Sequence, residues 1–385
     1  MSKFLNTAFA LVAGATLTLG APGAAVAQED PIPVGVMLPL TGPAALAGTS
    51  ILEGIEFAAE EANAAGGALG RQIELHIEDD EANTSKGVTA VRRLIEQDGV
   101  VAISGTYVSA VALAASEIAR EMQVPMVSAG STSSAVTDAN EAGDPWFFRA
   151  FPGSREQAMQ SASDVVDKLD ASRVAVLHEN STYGSSLADG FKKDIEAAGG
   201  EVISIESYNA EERDFYSVLT QVRSQQPDAI YIAGLMDAGA QIIRQSAELG
   251  LDTQIVGSGS MMSDKLIELA GPASEGFAVS SMFEPETPNE KGLAFAARFR
   301  EKFDREPDVY SALGYDSMSI IVEAIERAGV AEGPAIQDAL VAMDDFAIVQ
   351  GPADTVANFD DQGSNPFKIG LALVENGRRV WLPFD

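Results

Sequence analysis

The sequence predicts an α/β protein with two lobes, each a parallel sheet flanked by helices, joined by three chain crossings. First, from Pro33 onward, short apolar β-branched runs alternate with amphipathic helical stretches. Second, this rhythm starts again after Phe151-Pro152-Gly153. Third, the last part of the chain has long predicted helices that are not followed by a new set of predicted strands for them to pack on. A chain of 385 residues is too long for one ordinary core and suits two.

The N-terminal segment predicts export. Lys3 precedes an almost uncharged apolar run over residues 8–19, and Ala25-Val26-Ala27 supplies the small residues of a cleavage site. The alternative is a membrane anchor, but a run of about a dozen residues is shorter than the ~20 that span a bilayer. We therefore read residues 1–27 as a signal peptide, cleaved near Ala27. Without cysteine there is no thiol for lipid attachment, which predicts a freely diffusing periplasmic protein.

The composition excludes several partners. The net charge of −32 repels nucleic acid and anionic lipid surfaces. We expect no nucleic-acid partner, no membrane insertion of the mature chain, and a monomer. The absence of cysteine also removes disulfides and thiolate zinc sites. With only two histidines, a transition-metal site is not expected. Acidic pairs such as Asp79-Asp80 are interpreted as turn caps rather than calcium ligands.

The first lobe is predicted from the alternation of strands and helices. Helix 49–65 has apolar residues at three- and four-residue steps, with Thr49 or Ser50 as its cap and Gly66-Gly67 at its end. The predicted strands are 34–38, 73–77, 100–104 and 124–128, and the other helices are 85–97 and 109–122.

The second lobe repeats this order without repeating the sequence. Its predicted strands are 174–178, 202–207, 229–233 and 254–256, and its helices are 186–198, 215–225, 238–249 and 262–270.

The last part of the chain completes both lobes. A strand at 277–282 leads to helices at 290–303, 310–328 and 335–343, which we expect to return to the first lobe. Segments 367–374 and 379–383 flank Asn376-Gly377, the strongest two-residue hairpin signal. The N-terminal lobe is therefore predicted to comprise 28–150 and 282–354, and the C-terminal lobe 151–281 and 355–385. The chain crosses near 149–153, 280–285 and 354–360.

Four motifs occur in order along the chain: Val-Gly-Val-Met-Leu-Pro-Leu-Thr-Gly at 34–42, Asp79-Asp80, Tyr183-Gly184 and Tyr315-Asp316. Together they resemble the leucine/isoleucine/valine-binding family of periplasmic proteins. The resemblance implies the two-lobed type I periplasmic binding protein fold with a three-strand hinge. It also implies a ligand in the interlobe cleft and an ABC transporter permease as partner.

Loops after the first-lobe strands carry the predicted ligand contacts, because ligands of open α/β sheets bind beyond the carboxyl ends of the strands. Helix-start amides and hydroxyls suit a carboxylate. By resemblance, Ser109, Ala129 and Ser131 match the positions that grip an amino acid's carboxylate. Thr106 and Leu46 are further candidates in these loops. The alternative is that Ser109 is only an N-cap and that 128–132 is a polar turn.

The second lobe is predicted to cover the ligand. Tyr183, placed in a loop, matches a family tyrosine; its alternative role is packing at the lobe edge. The sequence has Leu235 and Met236 where amino-acid binders often carry an aromatic residue, and Met236 is retained as a candidate contact. It has Ser258-Gly259-Ser260 where they commonly place a glutamate against the ammonium. Asp237 can replace that glutamate or can be a helix N-cap. Arg155 is expected to pair with surface acids; its alternative role is to neutralise a second carboxylate of the ligand.

The predicted function is a periplasmic substrate-binding component of an ABC importer. The ligand is an amino acid, of branched-chain type, or a related small carboxylate, held by hinge closure. The alternative is a sensor component that uses the same fold. No enzyme activity and no cofactor are expected, because the sequence has no nucleophile elbow, phosphate loop or dinucleotide fingerprint.

Overall fold

The computed structural model describes residues 30–286 and 289–382. The predicted signal peptide and Pro383, the predicted last strand residue, lie outside them. The first sheet has five parallel strands in the spatial order β2-β1-β3-β4-β5. These strands are β1 (Ile32–Leu38), β2 (Ile73–Asp79), β3 (Ile103–Gly105), β4 (Met126–Ser128) and β5 (Phe147–Arg149). Helices cover the sheet, which is why its apolar strands are buried.

The helices that follow these strands are α1 (Ala45–Ala64), α2 (Thr84–Glu96), α3 (Ser109–Glu121) and α4 (Ser134–Asp138). Helix α1 begins four residues earlier than the sequence predicts, with Ala44 as an N-cap that makes no side-chain bond. The prediction that Thr49 or Ser50 caps it was therefore wrong. Both lie inside the helix, where the Thr49 hydroxyl donates to the Ala45 carbonyl at 2.8 Å.

The second sheet has seven strands in the order β14-β13-β10-β9-β8-β6-β7. Its parallel part contains β6 (Arg173–Glu179), β7 (Glu201–Tyr208), β8 (Ala229–Ala233), β9 (Gln254–Gly257) and β10 (Ala278–Ser281). A separate antiparallel pair, β11 (Phe346–Ala347) and β12 (Val356–Ala357), precedes the hairpin of β13 (Gly370–Glu375) and β14 (Arg378–Leu382). Asn376 and Gly377 both have positive φ, so the predicted two-residue turn is confirmed.

Eight further α-helices lie in the described part of the chain. They are α5 (Ser154–Asp167), α6 (Thr182–Ala197), α7 (Tyr216–Ser224), α8 (Met236–Glu248), α9 (Asp264–Ala270), α10 (Glu290–Phe303), α11 (Val309–Ala328) and α12 (Gly333–Val341). Helix α5 was not predicted from the sequence. Its buried positions are mostly Ser and Ala, so it lacks a strong apolar periodicity. No helix in the described ranges is both long enough and apolar enough to cross a membrane.

Helix α11 packs against α1 and against β3 and β4 of the first sheet. Two glycines permit this close crossing. A Cβ at Gly54 would lie 2.0 Å from the Ser311 carbonyl oxygen, and one at Gly314 would lie 2.1 Å from the Ile51 carbonyl oxygen. The long helix near the end of the chain thus lies on the sheet formed by its beginning, and it carries Tyr310 to the space between the sheets.

Candidate ligand cleft

A cavity lies where loops from the carboxyl ends of both sheets meet. The loops enclose about 580 Å³ of empty space, part of it open to solvent. The first-sheet side contributes Tyr107, Val108, Ser109, Ala110, Gly130 and Thr132. The other lining residues are Gln157, Glu179, Ser181, Thr182, Tyr183, Leu235, Gly259, Ser260, Met282, Tyr310 and Leu313.

Ser109 lies at the wall of this cavity as the first residue of α3. Its N-cap is Val108, so the alternative that Ser109 is only an N-cap was wrong. The Ser109 hydroxyl oxygen accepts hydrogen bonds from the Ser131 hydroxyl and the Ser133 amide, both at 3.3 Å. Because it accepts twice, it keeps its own proton to donate. The first amides of a helix have no intrahelical acceptor, so this corner presents donors to an anion.

Three other predicted residues lie in the layer behind Ser109 and are absent from the cavity lining. The Ser131 amide donates to the Ser128 hydroxyl at 2.9 Å, and the Thr106 hydroxyl donates to the same oxygen at 3.2 Å. The Ala129 amide donates to the Gly105 carbonyl at 2.8 Å. These bonds form a buried network behind Ser109. The Ser131 hydroxyl, which donates to the Ser109 hydroxyl, links this network to Ser109 and orients it.

Tyrosines from distant parts of the chain close the cavity. Tyr183 lines it from the first turn of α6, so its predicted place in a loop was wrong, since α6 begins four residues early. Burial raises the pKa of the Tyr183 hydroxyl, and hydrogen bonds with Ser258 and Ser260 partly offset this. Tyr310, which the sequence analysis missed, donates to the Ser260 carbonyl.

The remaining predicted residues lie in a neighbouring cavity. Leu46, Met236 and Asp237 line it, and it shares Tyr107, Leu235 and Tyr310 with the main one. The N-cap of α8 is Leu235, and Asp237 lies in the first turn. The proposed N-cap role of Asp237 was therefore wrong, and Asp237 does not line the main cavity.

The predicted surface ion pair of Arg155 and the predicted turn-cap role of Asp79 are confirmed. Asp138 pairs with Arg155 at 3.3 Å, with both side chains exposed. Asp79 accepts the amides of Leu40 at 2.9 Å and of Glu81 at 2.8 Å, as a turn cap does.

Polar groups that the sequence analysis did not select also line the main cavity. Glu179, the last residue of β6, is buried, and burial raises the pKa of its carboxyl, partly offset by hydrogen bonds with the Ser181 side chain and the Leu235 amide. Gln157 and Thr132 each have a buried oxygen with no protein partner. No Lys, Arg or His is among the described lining residues.

Among residues 30–286 and 289–382, no cluster of three or more His, Cys, Asp or Glu can hold a metal ion.

Comparisons with known proteins match this architecture. The model of a family described as periplasmic binding protein matches residues 31–375. The Leu/Ile/Val-binding protein homolog 2 of Brucella abortus is 31% identical over 334 residues, 86% of this chain and 87% of the relative. The amino acid binding protein of Pseudomonas aeruginosa is 30% identical over 298 residues, 77% of this chain and 78% of the relative.

Two solved structures share the fold over nearly the whole chain. The leucine-binding protein of Thermotoga maritima has a TM-score of 0.85 at 29% identity, covering 91% of this chain and 98% of that one. The branched-chain amino acid transporter substrate-binding protein of Streptococcus pneumoniae, in complex with isoleucine, has a TM-score of 0.84 at 26% identity, covering 91% and 97%. The two-sheet architecture, the cavity between the sheets and the match over residues 31–375 together show that this chain belongs to the periplasmic binding protein family.

Proposed function

We propose that this chain is the substrate-binding component of an ABC importer and that it holds an amino acid in the cavity between its two sheets. The observation that carries the proposal is the chemistry of the lining. Donors at the start of α3 face the same cavity as the acceptors Gln157 and Glu179, without a lysine or arginine. Such a lining suits a ligand that carries both a negative and a positive group. Relatives named for leucine, isoleucine and valine support this ligand class.

The carboxylate is assigned to the first-sheet side. Ser109 retains a hydroxyl proton, and Thr132 has a buried hydroxyl with no partner. A hydrogen bond to a charged group contributes about 1.5–3 kcal/mol, so two hydroxyls and the helix-start amides can hold the carboxylate without a buried cation. The start of α3 is supported by the buried hydrogen-bond network of Ser131, Thr106 and Ala129.

The apolar part of the ligand is assigned to the rest of the lining. Val108, Leu235, Met282 and Leu313 present aliphatic side chains to the cavity. Burial of a leucine-sized side chain against such groups contributes about 1.5–3 kcal/mol. The adjoining cavity with Leu46, Met236 and Asp237 gives room next to the Tyr107 and Tyr310 rings.

Closure is the proposed mechanism. The ligand first docks at Ser109, and the second lobe then covers it. Contacts that exist only in the closed arrangement, such as the Tyr310 hydroxyl on the Ser260 carbonyl and the Ser133 hydroxyl on the Thr182 carbonyl at 3.3 Å, favour that arrangement, because only differential interactions shift a conformational equilibrium.

The cellular setting is part of the proposal. Residues 1–27 direct export, and the mature monomer delivers its ligand in the periplasm to a permease without chemical turnover. The lobes are proposed as 28–150 with 282–354, and 151–281 with 355–385. Packing of α11 on α1 and pairing of β13 with β10 support this division.

A thermal-shift screen of amino acids and simple carboxylic acids tests the proposal, with calorimetry and small-angle scattering on the hits. We expect at least one amino acid to raise the melting temperature and to reduce the radius of gyration. A protein that binds no amino acid, or that binds one without compaction, contradicts it.

A further inference from the structure

Gln157, in the helix that the sequence analysis missed, has an unusual environment. Its side chain is 1% exposed and lines the main cavity. The amide nitrogen donates to the Pro152 carbonyl at 2.9 Å, which fixes the orientation of the amide. The amide oxygen is then left buried with no partner. Buried acceptors are nearly always paired. We therefore expect a molecule bound in the cavity to donate a hydrogen bond to this oxygen.

Gly259 leaves space beside this oxygen. A Cβ placed on Gly259 would lie 2.9 Å from the Gln157 amide oxygen. Because glycine has no side chain, position 259 neither crowds the oxygen nor fills the space next to it. A larger residue at position 259 would cover it or displace it.

Thr132 has the other unpartnered oxygen in the cavity lining. The Ser154 amide donates to the Thr132 carbonyl at 2.7 Å, so α5 starts on the Thr132 loop and Gln157 follows about one turn later. The two unpartnered groups differ in chemistry. A hydroxyl can donate to a carboxylate, whereas an amide oxygen only accepts. The pair therefore complements the adjacent carboxylate and ammonium of an amino acid's head group.

Glu179 supplies the charge that an ammonium needs. It is 4% exposed, lines the same cavity, and its carboxylate accepts hydrogen bonds from Ser181 and the Leu235 amide. The described lining contains no basic side chain to balance it. A ligand cation would provide that balance, because a buried charge is costly unless it is paired.

We infer that Gln157 is a ligand-contacting residue whose side-chain oxygen accepts a hydrogen bond from the ligand's ammonium, with Glu179 as the countercharge. This assignment rests on the proposed function and deepens it. It moves recognition of the ammonium from Asp237 to Gln157 of α5 and Glu179 of β6, which line the same cavity. It also gives the site a preference for amino acids over the corresponding simple acids.

The test compares each amino acid that binds with its des-amino analogue, for leucine 4-methylpentanoate, by calorimetry on wild type, Gln157→Met and Gln157→Glu. Methionine keeps the side-chain length but removes both the acceptor and the donor to the Pro152 carbonyl. Glutamate keeps the acceptor but loses the donor to Pro152. We expect Gln157→Met to weaken amino-acid binding by about tenfold or more and the des-amino acid by less than about threefold. Gln157→Glu should keep the amino-acid affinity within about threefold of wild type.

Two results overturn the inference alone. Equal losses of affinity for both ligands in Gln157→Met, or no loss of affinity, would show that the amide does not bind the ammonium. A loss in Gln157→Glu as large as in Gln157→Met would show that the bond to Pro152 matters instead. A wild-type protein that binds no proteinogenic amino acid overturns the proposed function as well, and melting temperatures of both variants identify any loss due to misfolding.

Discussion

The hydroxyl of Tyr310 donates a hydrogen bond to the carbonyl oxygen of Ser260 across the cleft. Tyr310 belongs to α11, which packs on the first sheet, whereas Ser260 follows β9 of the second. The Tyr107 ring packs edge-on against the Tyr310 ring at 5.8 Å between centroids. One buried tyrosine thus joins a cavity-lining loop of the first sheet to a cavity-lining loop of the second.

Tyr310→Phe is expected to weaken ligand binding by about five- to tenfold. It removes the hydrogen bond to Ser260, worth about 1 kcal/mol, that exists only when the two sides are together. It also removes the longer bond with the Tyr107 hydroxyl, at 3.4 Å, which lies within one side. Calorimetry measures the affinity and small-angle scattering the degree of closure. Tyr315→Phe is the matched control, since Tyr315 lies in the same helix and donates to Glu61 at 2.6 Å on the outer side. Equal affinity losses in both variants would argue against a role in closure.

Ser109→Ala is expected to weaken binding of an amino acid and of its des-amino analogue by the same factor, about tenfold or more. In the proposed function the Ser109 hydroxyl donates to the carboxylate, which both ligands carry, and a charged hydrogen bond contributes about 1.5–3 kcal/mol. Calorimetry with both ligands makes the measurement. Ser116→Ala, on the same helix with its hydroxyl on the Leu113 carbonyl, should leave both affinities unchanged. A loss confined to the amino acid would contradict the assignment.

Asp237→Asn is expected to change the affinity ratio between an amino acid and its des-amino analogue by less than about twofold. Asp237 lines the neighbouring cavity beside Leu46 and Met236, whereas Glu179 lines the main one. Calorimetry of both ligands on Asp237→Asn and Glu179→Gln separates the two carboxylates, because only the second variant should reduce the ratio. A reduced ratio of amino-acid to des-amino affinity in Asp237→Asn would indicate that Asp237 binds the ammonium.

The parts of the site that the sequence predicts are those that follow from element order. Ser109 lies at a strand-to-helix loop, and such loops meet at the carboxyl ends of parallel strands. Glu179 was missed because the predicted strand ended one residue early, and a one-residue difference decides which way a strand side chain points. Gln157 was missed because its helix buries small residues. Tyr310 reaches the cleft only through the packing of α11 on α1, which local pattern does not specify.

Gly54→Ala is expected to lower the free energy of unfolding by about 1–3 kcal/mol, the usual cost of overpacking. The new Cβ would lie 2.0 Å from the Ser311 carbonyl oxygen, so α1 and α11 would have to separate. Urea unfolding measures the effect. Glu56→Ala, at an exposed position of α1, is the control and should change stability by less than about 0.5 kcal/mol. Unchanged stability in Gly54→Ala would show that the helices can shift without cost.

The buried carboxyl group of Asp316 is expected to make the stability of the protein depend on pH. Its buried carboxylate accepts the Val349 amide at 2.8 Å and the Gln350 side chain at 2.9 Å. Burial raises its pKa to about 7, and these hydrogen bonds only partly offset it. An unfolded aspartate has a pKa of about 3.9, so between the two values the folded chain holds a proton that the unfolded chain releases.

Relative to Asp316→Asn, wild-type stability should therefore be highest below about pH 4, fall as the pH rises toward 7, and level off above it. The total change is at most about 4 kcal/mol, because each unit of pKa corresponds to about 1.4 kcal/mol. Urea unfolding of both proteins from about pH 4 to pH 8 gives the difference. Any constant offset from the lost carboxylate cancels, since the slope carries the information. A difference independent of pH, or one that grows as the pH rises, would mean that Asp316 is ionised in the folded protein over the whole range.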